Sequence, residues 1–166
     1  MSQTEQPIEF FYKVTETFFA GEYPFSLLLE DGIVKLKRLI DFGITHFIDL
    51  TSEQPTRYSE FLPNHCTYLN LPTEDYILPS FENLKTAHDF ISQSKEKIYL
   101  HCIGGYDRTG VAVATFFVYQ GKTVAEAKQL YLQKADKIRT RYRHLPLLET
   151  KWEVLEEYEQ FLQHNP

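Results

Sequence analysis

Cysteine is scarce in this 166-residue chain, which has only Cys66 and Cys102. Two thiols cannot build a disulfide scaffold, and so low a usage suits a reducing compartment. Long apolar runs are also missing. No stretch approaches the ~20 residues that a membrane span needs, so no integral membrane association is expected. The first 25 residues carry Glu5, Glu9, Lys13, Glu16 and Glu22, which leaves no secretory apolar region. The expected location is cytoplasmic. Positive charge is in deficit, with 17 Lys and Arg against 23 Asp and Glu, a formal net charge of −6. That balance argues against nucleic acid as a general partner. It leaves room for an anionic substrate, because the local field of a loop can oppose the net charge. The six histidines show no ligand spacing with the cysteines, so no metal and no cofactor is implied. Internal repeats and low-complexity segments are absent.

What the chain does have is aromatic bulk, 13 Phe and 11 Tyr, and enough length for one domain, residues 1–166. Residues 1–8 are polar and read as a frayed start. Phe10–Phe19 reads as strand, first Phe10–Val14 and then Phe18–Phe19, with a turn at Ala20–Pro24. Ser26–Phe42 carries a helical stripe of Ile33, Leu36, Leu39 and Ile40, ended by Gly43. Ile44–Leu50 is a short buried strand. The loop Thr51–Asn64 follows, with one helical turn near Tyr58–Leu62. Cys66–Leu71 is a further strand, ended by Pro72. Ser80–Ser94 reads as a helix with Ser80 as N-cap. Its inward face is Phe81, Leu84, Ala87 (or His88) and Ile91. Lys97–His101 is a strand and Thr109–Gln120 a helix, closed by Gly121. Thr123 and Glu126 form a capping-box pattern for the next helix. A final amphipathic helix is expected over Pro146–His164. Helices alternating with short apolar strands imply an α/β fold, a central mainly parallel sheet flanked by helices. In such sheets ligands sit beyond the carboxyl ends of the strands. Three loops leave those ends: after Leu50, after Leu71 and after His101.

The third loop carries the chemistry. It runs from Cys102 through Ile103, Gly104, Gly105, Tyr106 and Asp107 to Arg108, then Thr109 and Gly110. A tight loop between a strand and a helix N-terminus aims backbone N–H groups and the positive helix end at one spot. The field that holds an anion there also favours the thiolate form of a cysteine at its mouth. Arg108 offers a planar two-pronged donor to the same anion. The alternative for Cys102 is an inert buried thiol, which fits poorly with its His, Gly and Arg neighbours. The alternative for Arg108 is a surface ion pair.

This motif, His101-Cys102, five residues, Arg108-Thr109-Gly110, resembles the signature loop of the cysteine-dependent protein tyrosine phosphatases, in the small dual-specificity branch. The resemblance extends in order over Thr45–Leu50, Thr67–Pro79 and Tyr99–Gly110. It implies a phosphotyrosine phosphatase-like fold and a nucleophilic Cys102 that forms a cysteinyl-phosphate. Arg108 clamps the equatorial oxygens. Gly104 and Gly105 let the backbone curl. The Thr109 hydroxyl donates to the thiolate, or simply caps the helix. His101 orients the loop through a hydrogen bond. Expelling the leaving oxygen needs a general acid. Asp75, 27 residues before Cys102 on the proline-bounded loop Pro72–Pro79, is the main candidate. Glu74 is its neighbour and alternative. The family's long tyrosine-recognition segment has no counterpart here, which leaves pocket depth open.

One residue departs from the usual pattern. Many of these phosphatases have glycine where this chain has Asp107. One explanation is backbone conformation, since Asp tolerates left-handed φ better than most residues. The other is chemical assistance by its carboxyl group. Asp107-Arg108-Thr109 also resembles the myotubularin-like and related bacterial lipid phosphatases. The first resemblance implies removal of phosphate from phosphotyrosine, with phosphoserine and phosphothreonine also open, so the expected partner is a phosphorylated protein or peptide. A phosphoinositide or inositol phosphate is the alternative, and an inactive phosphate-binding module stands further off. A rhodanese-like sulfurtransferase also uses a cysteine loop, but Arg-Thr-Gly favours phosphate. Tyr106 is placed to shape the pocket rim. The basic cluster Lys134, Lys137, Arg139, Arg141 and Arg143 is either a solvated face or an attractor of acidic substrates. Cys66 is either a plain strand cysteine or a redox partner of Cys102.

Overall fold

The computed structural model describes residues 6–144 and 152–166. Five strands form one sheet in the order β1-β2-β5-β3-β4. They are β1 (Phe11–Lys13), β2 (Phe18–Gly21), β3 (Ile44–Thr51), β4 (Thr67–Thr73) and β5 (Lys97–His101). Only β1 and β2 pair antiparallel; β2, β5, β3 and β4 run parallel. The helices are α1 (Leu29–Asp41), α2 (Phe81–Gln93), α3 (Asp107–Tyr119), α4 (Val124–Lys134), α5 (Asp136–Arg141) and α6 (Glu153–His164). A single 3-10 turn covers Tyr58–Phe61. Among the described residues no helix is long and apolar enough to cross a membrane.

Strand alternation divides the core in two. On β5, Ile98 and Leu100 face the cluster built with α2, α3 and α6, while Tyr99 faces the aromatic cluster under α1. On β3, Ile48 and Leu50 go with the first set and Phe47 with the second. This period of two is what a strand buried on both faces requires. Helix α3 is buried at every position from Arg108 to Val118, as an apolar-all-round helix must be. Its Thr115 hydroxyl donates to the Val111 carbonyl, 2.6 Å, and so needs no outside partner.

The Phe10–Phe19 region divides as expected, into β1 and β2, with the chain turning back through Thr15–Thr17. The Thr15 Oγ1 accepts from the Phe18 N–H, 3.1 Å. Several elements differ from the sequence expectations. Pro72 does not end its strand, which runs on to Thr73. β4 lies at the sheet edge, where a missing N–H costs nothing. Helix α1 begins at Leu29 rather than Ser26, and Ile33 points outward, 45% exposed. Its buried stripe is Gly32, Leu36 and Leu39, because the Phe25 ring lies on Gly32. A Cβ there would sit 2.3 Å from that ring. Ser80 caps α2 through the Asn83 N–H, and Thr123 with Glu126 forms the expected capping box. The start of the expected last helix, 146–151, lies outside the described residues; α6 accounts for the rest. Cys66 precedes β4 and Cys102 follows β5, at opposite ends of parallel strands. At ~3.3 Å per residue the sheet holds them far beyond disulfide reach, and both are free thiols.

Candidate active site

The loops after β2, β3, β4 and β5 meet at one end of the sheet. The loop after β5 is the tightest. His101 is fully buried, its Nδ1 lies 3.0 Å from the Cys102 carbonyl and its Nε2 lies 2.7 Å from the Tyr58 hydroxyl. A carbonyl can only accept, so Nδ1 donates and Tyr58 donates to Nε2. That tautomer is neutral, and burial pushes the imidazole further from charging. His101 thus makes a hydrogen bond into the loop, to the Cys102 carbonyl. Ile103 is held from the other side, its carbonyl accepting from the Tyr23 N–H, 2.8 Å. Gly105 has φ +74, and a Cβ there would sit 2.3 Å from the Gly21 carbonyl carbon. The left-handed position of the loop is therefore Gly105.

This removes the conformational explanation for Asp107. It is the first residue of α3, in helical conformation. An acidic residue in that first turn is favoured by the helix dipole, and Asp107 also lines the pocket. Helix α3 starts two residues earlier than the sequence suggested, so Arg108 and Thr109 lie in its first turn.

The cavity above the loop has a volume of about 200 Å³. Its floor is Cys102, Gly104 and Arg108, and its walls include Tyr106 and Asp107. Asp75 and Tyr76 enter from the loop after β4, and Tyr142 from the end of α5. Cys102 is 2% exposed. The Asp75 carboxylate lies 3.5 Å from Arg108 Nη2 and accepts from the Tyr76 N–H, 3.0 Å. So the structure brings together Cys102, Arg108 and Asp75 from two loops, as the topology suggested.

Arg108 has a further partner that sequence reasoning missed. Glu53, from the loop after β3, takes a two-pronged grip on it, Oε2 to Nη1 at 3.0 Å and Oε1 to Nη2 at 2.7 Å. The Thr73 carbonyl accepts from Nη1, 2.8 Å. The Arg108 hydrogen bond holds the Glu53 carboxyl below the usual carboxylate range. Burial works against the Arg108 charge, but the Glu53 hydrogen bond and the Cys102, Glu53 and Asp75 charges outweigh it. The Glu53 loop is itself anchored. Asp49 accepts from the Thr51 N–H at 2.8 Å, the Thr51 hydroxyl at 2.7 Å and the Tyr68 hydroxyl at 2.8 Å. The Gln54 side chain, next to Glu53, donates to Asn70, 2.9 Å.

Two buried donors at the site have no partner among the described residues, Arg108 Nε and Thr109 Oγ1. The expected Thr109 bond to Cys102 is not made. A buried donor without an acceptor is costly, and both of these belong to the first turn of α3.

Two residues of the basic tract also make structural contacts. Lys137 donates to the Glu9 carbonyl, 2.7 Å, and the Arg141 guanidinium stacks 3.8 Å over the Phe10 ring. These residues clasp the N-terminal segment to α5.

The parallel sheet, the buried cysteine loop and the arginine in the first turn of the following helix define a cysteine-based phosphatase domain. A family model described as "Swiss Army Knife protein, DSP-PTPase phosphatase domain" matches residues 25–152, and the chain belongs to that family. A viral relative, protein 067L of Invertebrate iridescent virus 3, provisionally named a tyrosine phosphatase, is 27% identical over 142 residues. That match covers 75% of this chain and 57% of the viral protein, so the chain spans little more than half of its relative. Two solved structures share the fold at 20% identity. Tk-PTP in its active form has a TM-score of 0.66, covering 89% of this chain and 95% of that one. PTPMT1 in complex with PI(5)P has a TM-score of 0.67, covering 95% and 99%.

Proposed function

We propose that the chain hydrolyses phosphomonoesters, phosphotyrosine above all, through a cysteinyl-phosphate on Cys102. The observation that carries this reading is the pair of orphaned donors, Arg108 Nε and Thr109 Oγ1, in the first turn of α3 beside Cys102. Arg108, which lines the cavity, offers its Nε to an oxygen of a phosphoryl group seated over the sulfur, and the Thr109 hydroxyl is left for the sulfur itself. In the first step Cys102 Sγ attacks phosphorus and the ester P–O bond breaks. The leaving oxygen takes a proton from the Asp75 carboxyl group. In the second step the Asp75 carboxylate accepts a proton from water as that water attacks phosphorus, and the S–P bond breaks. Arg108 stabilises the equatorial charge in both steps, and the Thr109 hydroxyl supports the departing thiolate. A bound phosphate takes over part of the Arg108 charge that Asp75 meets in the free protein, which frees Asp75 to face the leaving group.

The test is a panel of phosphotyrosine, phosphothreonine and phosphoinositide substrates with Cys102→Ser as control. Cys102-dependent release from phosphotyrosine peptides is the expected result. Asp75→Asn should lower kcat by about 10²- to 10⁴-fold and remove the alkaline limb of the pH–rate profile. No Cys102-dependent release from any substrate would leave a phosphate-binding module. A second reading is a phosphoinositide substrate. It is favoured by Asp107-Arg108-Thr109 and by the shared fold with PTPMT1, solved with PI(5)P. Turnover of lipid alone would select it. Asp107→Asn then decides whether that carboxyl acts chemically, through a changed pH–rate profile.

A further inference from the structure

Tyr142 lies outside the signature loop, beyond the end of α5, yet it forms a wall of the cavity over Cys102. Its ring stacks on that of Tyr106, centroids 5.2 Å apart and planes inclined by 23°. Gly104 fits beneath its hydroxyl, where a Cβ would approach the Tyr142 oxygen to 2.5 Å. The ring is held in place from behind, because the neighbouring Arg141 is stacked on Phe10. Tyr76 enters the same cavity from the Asp75 loop, 68% exposed and with φ +62. A phosphoryl group on Cys102 and Arg108 directs its ester oxygen away from the sulfur, towards Asp75. The leaving group must then pass the tyrosine walls. We infer that Tyr142 is the specificity-determining residue of this site, and that it selects flat aromatic phosphomonoesters by ring-to-ring contact. This rests on the hydrolase reading above and adds the residue that selects its aromatic leaving group. The missing tyrosine-recognition segment is thereby replaced by one aromatic residue just past α5 and another from the acid loop.

The experiment compares phenyl phosphate with phosphoserine on the wild-type chain, Tyr142→Ala and Tyr142→Phe. A stacked aromatic pair supports a preference of roughly three- to tenfold. Tyr142→Ala should lower the phenyl-to-serine ratio of kcat/KM by that factor, mainly through KM for phenyl phosphate. Tyr142→Phe should keep the ratio. In the Cys102→Ser background, calorimetry should show Tyr142→Ala weakening phenyl phosphate more than inorganic phosphate, by the same factor. Equal losses on both esters, or equal weakening of both ligands, would reduce Tyr142 to a prop for the loop and overturn the inference. Absence of Cys102-dependent turnover sinks the hydrolase reading alone, since the binding comparison still decides the role of Tyr142.

Discussion

Arg108 is a buried cation, its side chain 1% exposed, and its partners decide what it can bind. Glu53 grips both of its terminal nitrogens and leaves Nε for the ligand. A buried guanidinium with one carboxylate removed is undercompensated. Glu53→Gln keeps the shape and removes the charge. It should lower kcat/KM by about ten- to a hundredfold, read by steady-state kinetics, because a clamp held loosely loses transition-state alignment. Unchanged kinetics would show that Thr73 and Asp75 position Arg108 unaided. The Glu53 carboxyl is depressed by its Arg108 hydrogen bond, so its stabilising effect is present above the unfolded value and is lost as pH falls through the folded one. Glu53 is partly exposed, and solvent discounts that effect. The two loop glycines make a second contrast. Gly105→Ala meets backbone at 2.3 Å with φ +74 and should cost at least about 1–2 kcal/mol. Gly104→Ala meets only the tip of Tyr142. Chemical denaturation of both variants checks the order; equal losses would mean that the loop backbone relaxes. Cys102, Arg108 and Asp75 were legible because motif and topology name them. Glu53 was not, since it stands 55 residues from Arg108 in a loop without a motif. Its only sequence signal was membership of the loop after Leu50, at the same sheet end.

Strands and helices were legible wherever apolar period and capping agreed, as in β5, α2 and α4. They were misread where a contact far away in sequence decided the outcome. The phase of α1 is set by the Phe25 ring on Gly32. The contacts of Lys137 and Arg141 were illegible for the same reason. They meet an N-terminal segment more than a hundred residues away, with Lys137 bonded to Glu9 at a separation of 128. That clasp is testable. Phe10→Ala removes the ring under Arg141 and near Lys137, contacts of about 0.5–2 kcal/mol in this setting. Amide hydrogen exchange should rise over Asp136–Tyr142, with α6 unchanged. The same rate in both proteins would show that α5 is held by its own packing through Ile138, 1% exposed.

For the molecule as a whole, the joint between helices α2, α3 and α6 is polar at its centre. His88 is fully buried between them, its Nδ1 2.7 Å from the Tyr158 hydroxyl and its Nε2 2.9 Å from the Ala112 carbonyl. The carbonyl fixes Nε2 as the donor, so Nδ1 accepts from Tyr158 and the ring is neutral. Burial pushes His88 down to about 4. The unfolded chain therefore takes up a proton between about 6.5 and 4 that the folded chain refuses. The stability from this residue is complete above about 6.5 and falls away as pH drops towards 4, by roughly 3 kcal/mol at most. His101, also depressed by burial, acts in the same direction. His88→Gln should lower the melting temperature at pH 7.5, because Tyr158 and Ala112 lose well-aligned partners. It should also flatten the fall in melting temperature between pH 6.5 and 4.5. A variant that keeps the wild-type slope would assign the acid sensitivity to His101 or to the carboxylates. Loss of activity parallel to loss of structure on acidification would then locate it at His101, under the cysteine loop.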